Sequence, residues 1–253
     1  MGLLWSLSLL FLRKKNDKGM GTKNQVLVII PAYNEEKNIV RVVDNLIQNY
    51  PQYDYVVIND GSKDRTAAIC REHGYHLIDL PVNLGLAGAF QTGLKYADRM
   101  GYAYAIQFDA DGQHRPEFIA PMLEEMQKGN DIVIASRFVT EKKPFTMRMV
   151  GSHLISFAMR LTTGKRIKDP TSGMRMFDRT MIHEFASNIN YGPEPDTISY
   201  LMKHGAKVSE VQATMDERIE GQSYLTFSKS LSYMMRMGIS IMLVQLFRKR
   251  AVS

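Results

Sequence analysis

Asp109 and Asp111 are the residues of this 253-residue chain best suited to chemistry. They flank Ala110, after the apolar run Tyr104-Ala105-Ile106-Gln107-Phe108 and before the turn Gly112-Gln113-His114-Arg115-Pro116. Two carboxylates one residue apart at the end of a buried strand can share one hard divalent cation. Such a cation, Mg²⁺ or Mn²⁺, keeps open positions for diphosphate oxygens. Asp-x-Asp alone reads as a solvated turn. The strand before it and the helix-opening turn after it overturn that reading.

The carboxylates need a frame, and hydrophobic patterning provides it. Val26 to Ile30 is a continuous apolar run, read as a buried strand. Pro31-Ala32-Tyr33-Asn34 then turns the chain, with Asn34 expected to cap a helix whose first turn holds Glu35 and Glu36. Further strands are expected at Tyr55 to Ile58, His76 to Leu80, Tyr104 to Phe108 and Asp131 to Ala135. Helices fit between them, at about Asp64 to His73, Leu86 to Arg99 and Pro116 to Gly129. Alternating strands and helices predict an α/β domain with a mostly parallel sheet. Ligands of such sheets bind beyond the carboxyl ends of the strands. The polar motifs after the first, second and fourth strands should therefore line one crevice. Past about residue 140 the pattern loosens, with helices expected at Thr146 to Leu161 and Asp196 to His204. Strands are expected there at Met174 to Phe177 and Lys207 to Met215.

A net charge of +6 and a pI near 9.3 favour an anionic partner: nucleic acid, lipid head groups or a phosphorylated substrate. No zinc-ligand spacing or aromatic RNA-binding signature is present, so nucleic acid is not expected. Cys70 is the single cysteine, which excludes an intrachain disulfide and suits a reducing compartment. No segment reads as a bilayer span. Gly2 to Leu12 has about half of the roughly 20 apolar residues required. With Arg13-Lys14-Lys15 behind it, this stretch is either an interfacial anchor or sequence upstream of a true start near Met20. Leu231 to Phe247 is apolar, Met-rich and interrupted by Arg236, and Arg248-Lys249-Arg250 follows. It suits an amphipathic helix lying on a membrane surface, or a helix packed on the core. The chain is accordingly divided into an N-terminal extension (1–24), a globular domain (25–222) and a membrane-associating helical segment (223–253).

Taken in order, these motifs resemble the inverting GT-A glycosyltransferases of family 2, and within them the polyprenyl-phosphate and dolichol-phosphate sugar transferases. The resemblance covers about Val26 to Arg236. Pro31-Ala32-Tyr33-Asn34-Glu35 matches the turn that holds nucleotide base and ribose, which implicates Pro31, Ala32, Tyr33 and Glu35. Asn59-Asp60-Gly61-Ser62-Lys63-Asp64-Arg65-Thr66 matches a second marker that usually opens with two acids; here the first is Asn. Asn83-Leu84-Gly85 and Gly93 match a third, whose glycines let the backbone approach the sugar nucleotide, and Gly88 in the same stretch is assigned with them. Asp109, Asp111 and Gln113 are implied to surround Mg²⁺ or Mn²⁺, with Ala110 on the nucleotide side. His114 is a candidate ligand too, but as a histidine in a turn it is expected on the surface. Arg137 and Arg148 stand where relatives hold the lipid phosphate, as a guanidinium fork can. Asp169-Pro170-Thr171-Ser172-Gly173-Met174-Arg175 is a subgroup marker, in which Arg175 is either functional or a structural partner of Asp169. Arg218 lies in a segment that relatives order over the donor diphosphate.

The resemblance implies transfer of a sugar from a UDP- or GDP-sugar to a polyprenyl phosphate, with inversion, by a peripheral enzyme at the cytoplasmic face of the cell membrane. A small integral membrane protein or a second copy could assist. A rival within the family glycosylates a saccharide hydroxyl and needs a carboxylate base. Glu194 and Asp196 are its candidates, or else form a capping turn. A rival of another class is a non-catalytic module that binds sugar nucleotide or lipid.

Overall fold

The computed structural model describes residues 25–141, 143, 147–187, 192–216 and 227–244, and for residues 147, 148, 227–231 and 244 the backbone alone. Seven strands form one sheet: β1 (Val26–Ala32), β2 (Asp54–Asn59), β3 (Leu77–Asp79), β4 (Tyr104–Gln107), β5 (Ile132–Ser136), β6 (Arg175–Asp178) and β7 (Val208–Gln212). Their order is β3-β2-β1-β4-β6-β5-β7. Every pairing is parallel except those of β6, which runs antiparallel to β4 and β5. The mostly parallel sheet expected from the sequence is present.

Helices cover both faces, and side-chain alternation explains how. On β1, Leu27 and Ile29 enter one core, while Val26, Val28 and Ile30 enter the other. The first core packs against α3 (Gly85–Met100), α5 (Met147–Thr163), α6 (Arg179–Ser187), α7 (Pro195–Lys203) and α8 (Phe227–Ile239). The second packs against α1 (Ile39–Asn49), α2 (Thr66–Glu72) and α4 (Ile119–Met126). A strand buried on both faces needs an unbroken apolar run, which Val26 to Ile30 provides. The strand continues through Pro31 and Ala32, where a turn was expected. Ile29 accepts from Phe108 N–H at 2.9 Å on the β4 side, and β4 ends there. Pro31 faces the same side, so its missing N–H leaves no ladder bond unmade.

Gly93 is corrected by the fold. A Cβ there would overlap the Ile29 side chain, because α3 crosses β1 at this point. It is a packing glycine within the core, not a point of approach for a ligand. Helix α6 was not anticipated, although Met181, Ile182 and Phe185 recur on one buried face at helical spacing.

At the C-terminal end, α8 continues into a π-type turn at Ser240–Val244. Met234, Met237 and Ile241 are buried against α5 and α7. Met235, Ile239, Met242 and Leu243 point outward, as do Leu154, Phe157 and Leu161 of α5. These seven large apolar side chains are between 39% and 65% exposed. Among the described residues no helix is long and apolar enough to cross a membrane.

Candidate active site

The carboxyl ends of β1, β2, β4 and β5 lie along one edge of the sheet, since these strands are parallel. Antiparallel β6 brings its opposite end to the same edge: Arg175 is in register with Gln107 of β4 and Ile134 of β5. The loop Asp169 to Met174 therefore meets the Asp109 turn, 60 residues away in sequence (169 − 109).

The first two motifs are stitched together. Asn34 has φ +56° and does not cap a helix, contrary to expectation; α1 starts later, at Ile39. Its side-chain oxygen accepts from Lys63 N–H at 2.8 Å, and its own N–H donates to Ser62 Oγ at 2.9 Å. Glu35 N–H donates to Thr66 Oγ1 at 2.9 Å, and Glu36 N–H to Asp64 at 3.1 Å. Asn tolerates the left-handed conformation better than other non-glycine residues, which suits it to this crossing. Glu35 is buried, and its carboxylate accepts from Asn38 Nδ2 at 2.8 Å. Asn59 Nδ2 donates to Asp79 at 2.6 Å, and Asp60 accepts from Leu84 N–H at 2.7 Å. Pro31, Ala32, Asn59 and Asp60 are all buried, Ala110 is buried between Asp109 and Asp111, and Tyr33 and Gly88 are half-buried.

Asp109 and Asp111 stand just past the end of β4. Asp111 accepts from Gln113 N–H at 3.0 Å, and Asp109 from Gln107 Nε2 at 3.2 Å. His114 is only 6% exposed, so the surface histidine expected from the sequence is in fact buried, edge-on to Phe108. Asp109 N–H donates to its Nδ1 at 2.8 Å, which leaves Nε2 to carry the proton of a neutral ring. Nε2 lies 3.6 Å from Asp109 Oδ2, too long for a hydrogen bond but the right charge order to steady the carboxylate. Gly173 lies beside the same oxygen; a Cβ there would sit 2.9 Å from Asp109 Oδ2. A larger residue there would have to displace the Asp109 carboxylate, a role the sequence reading missed.

Among the described residues no cluster of three or more His, Cys, Asp or Glu is set to hold a metal. The available donors are two carboxylates and the Gln113 amide oxygen, all hard oxygens. That set fits Mg²⁺ or Mn²⁺ bound jointly with a diphosphate, rather than an ion caged by protein alone.

Cations gather at the end of β5. Arg137 donates from Nε and Nη2 to Asp169 at 2.7 and 2.9 Å. Asp169 is fully buried, and it pairs with Arg137 rather than with Arg175. Arg175 is itself buried and donates to the Pro170 carbonyl at 2.8 Å. Burial pulls its pKa down, opposed by Glu194, Tyr233, Asp169 and Asp109. Lys143, which sequence reasoning did not single out, sits 5.4 Å from the Phe138 ring centroid, with Arg137 at 5.2 Å from the same centroid. Burial lowers its pKa too. Arg148 lies in the first turn of α5, with its side chain outside the described atoms, and Arg218 lies outside the described residues.

Both base candidates are engaged by the C-terminal helical segment. Tyr233 donates to Glu194, and burial pushes the Tyr233 pKa up, with Glu194 adding to the rise. Ser240 donates to Asp196 at 2.7 Å, and Thr197 N–H donates to the other Asp196 oxygen at 2.8 Å.

Comparison with known proteins matches residues 27–185 to the family described as glycosyl transferase family 2. The chain is similar to polyprenol monophosphomannose synthase of Mycolicibacterium smegmatis, at 30% identity over 81% of this chain and 82% of that one. It is similar to a UDP-N-acetylglucosamine–dolichyl-phosphate N-acetylglucosaminyltransferase of Methanococcus voltae, at 35% identity over 62% and 70%. Its fold is similar to that of Mycobacterium tuberculosis glucosyl-3-phosphoglycerate synthase, solved with Mn²⁺, UDP and phosphoglyceric acid, with TM-score 0.64 and 18% identity over 90% and 80%.

Proposed function

The chain belongs to glycosyl transferase family 2, and from that premise we propose that it transfers a hexosyl group from a nucleoside-diphosphate sugar to a polyprenyl phosphate. The relatives named for lipid-phosphate acceptors support this reading. The observation that carries it is the state of Glu194 and Asp196. Each accepts a hydroxyl hydrogen bond from the C-terminal helical segment, and Glu194 also lies near the buried Arg175 cation. These contacts give both carboxylates structural roles against that segment rather than the role of a free general base. A saccharide hydroxyl needs such a base. A phosphate oxygen is already anionic and needs none.

The acceptor oxygen attacks the anomeric carbon opposite the departing diphosphate, and configuration inverts. The turn Pro31 to Glu35 and the segment Asn59 to Asp60 orient the nucleotide. Asp109, Asp111 and Gln113 would hold the divalent ion, which when bound would offset charge on the leaving group. Arg137, Arg148 and Lys143 set a positive potential for the acceptor phosphate, and Arg218 for the donor diphosphate. Catalysis rests on positioning and charge.

The lipid acceptor places the enzyme at a membrane as a peripheral protein. We assign the contact to the apolar face shared by α5 and α8. Leu154, Phe157 and Leu161 lie at helical spacing on α5, which packs against α8 and the turn after it, where Met235, Ile239, Met242 and Leu243 are exposed; large exposed apolar side chains on neighbouring elements suit an interaction surface. The test of function is incubation of purified protein with polyprenyl phosphate, Mn²⁺ and a panel of UDP- and GDP-hexoses, read by mass spectrometry. A glycosyl phosphopolyprenol is expected. Transfer to saccharides alone would leave the hydroxyl-acceptor reading standing. Tight sugar-nucleotide binding with no transfer to either acceptor would favour a binding module.

A further inference from the structure

Resting on the metal reading above, we propose that Asp216 and Arg115 are positioning residues that orient Gln113 as a ligand of the divalent ion. Asp216 is 103 residues from Gln113 in sequence, yet the two are joined twice. Asp216 N–H donates to the Gln113 carbonyl at 2.9 Å, and Gln113 Nε2 donates to the Asp216 carbonyl at 3.3 Å. The second bond uses the nitrogen end of the Gln113 amide. It leaves the oxygen, the hard donor, as the end available to a cation. Gln113 N–H in turn donates to Asp111 Oδ1 at 3.0 Å. A run of polar contacts thus reaches from Asp216 through Gln113 to a carboxylate of the metal turn.

Arg115 braces this run. Its Nε and Nη2 each lie 2.8 Å from Asp216 Oδ1. Both side chains are part-exposed, at 39% and 44%, so the pair adds little to global stability. Its effect is local, because Arg115 and Asp216 stand at the open side of the turn. A cavity of about 370 Å³ opens between α1 and the turn, lined in part by Arg41, Asn45, Gly112, Arg115 and Asp216. Partners one step removed from a metal ligand commonly set its affinity by about 10–100-fold.

The test measures Mn²⁺ affinity directly, by electron paramagnetic resonance of free Mn²⁺ with saturating UDP, with no turnover involved. Asp216→Ala and Arg115→Gln should each weaken Mn²⁺ binding by about tenfold, with metal-free melting temperatures unchanged. Asp216→Asn keeps an acceptor for Arg115 and should recover most of the affinity. Asp111→Asn is the control for the metal site itself. If Asp111→Asn abolishes binding while Asp216→Ala and Arg115→Gln bind within twofold of the parent, the positioning role is refuted and the metal reading stands. If the parent protein binds no Mn²⁺ with UDP, the metal reading fails and this inference fails with it.

Discussion

Replacing Arg137 with Ala should destabilise the protein before it reports anything about the acceptor. Asp169 is wholly buried, and the Arg137 guanidinium supplies two of its hydrogen bonds, at 2.7 and 2.9 Å. Removing one partner of a buried pair strands the other charge and costs about 3–5 kcal/mol. Asp169 would keep the Arg137 N–H at 3.2 Å and the Thr171 hydroxyl at 3.4 Å. Arg137 is itself 26% exposed, so water can reach the vacated position. The lower end, about 3 kcal/mol, is expected. For a chain of this length each kcal/mol shifts Tm by about 2–4 °C, which gives a drop of roughly 6–12 °C by calorimetry. Adding Asp169→Asn to Arg137→Ala removes the stranded charge, and the double variant should regain at least about 1 kcal/mol. An Arg137→Ala variant that melts within about 2 °C of the parent would refute the reasoning. So would a double variant no more stable than the single one. Kinetics belong well below the lowered Tm; there, a KM raised for polyprenyl phosphate but not for sugar nucleotide supports a second role at the acceptor.

Asp109→Asn or Asp111→Asn should nearly abolish transfer with the fold intact, and EDTA should do the same to the parent until Mg²⁺ or Mn²⁺ is restored; full activity in chelator would remove the metal from the mechanism. Phe157→Ser with Leu161→Ser deletes two exposed apolar side chains, each contributing about 1.5 kcal/mol on burial. Liposome partitioning should then fall by about a hundredfold while nucleotide binding and Tm hold. Unchanged partitioning would move the membrane contact to another surface or to a partner. Cys70 is fully buried, and burial pushes its thiol up to about 11. At pH 8 the native thiol should resist Ellman's reagent and react only on unfolding, whereas rapid native reaction would mean that α2 opens readily.

The sequence by itself determined most of the elements, α6 apart, and the polar motifs that follow the first, second and fourth strands. Val26 to Ile30 must be buried on both faces because it has no polar alternation, and Asp109-Ala110-Asp111 must sit at a strand end because the apolar run stops there. These are local facts, carried by residues within a few positions of one another. The tertiary structure decided which motifs touch. That β6 inserts antiparallel between β4 and β5, bringing Gly173 against Asp109, follows from sheet topology, which no local pattern encodes. The same holds for Asn34, which crosses to Lys63 instead of capping a helix, and for His114, which is buried because Phe108 and Asp109 close over it. Arg137 reads in sequence as a free phosphate ligand; only the fold sets a buried carboxylate 32 residues away against its guanidinium. The apolar face of α5 was equally hidden, since an exposed Phe157 and a buried Met159 look alike until the helix is docked. Long-range partners depend on how elements pack, and packing is a property of the whole chain.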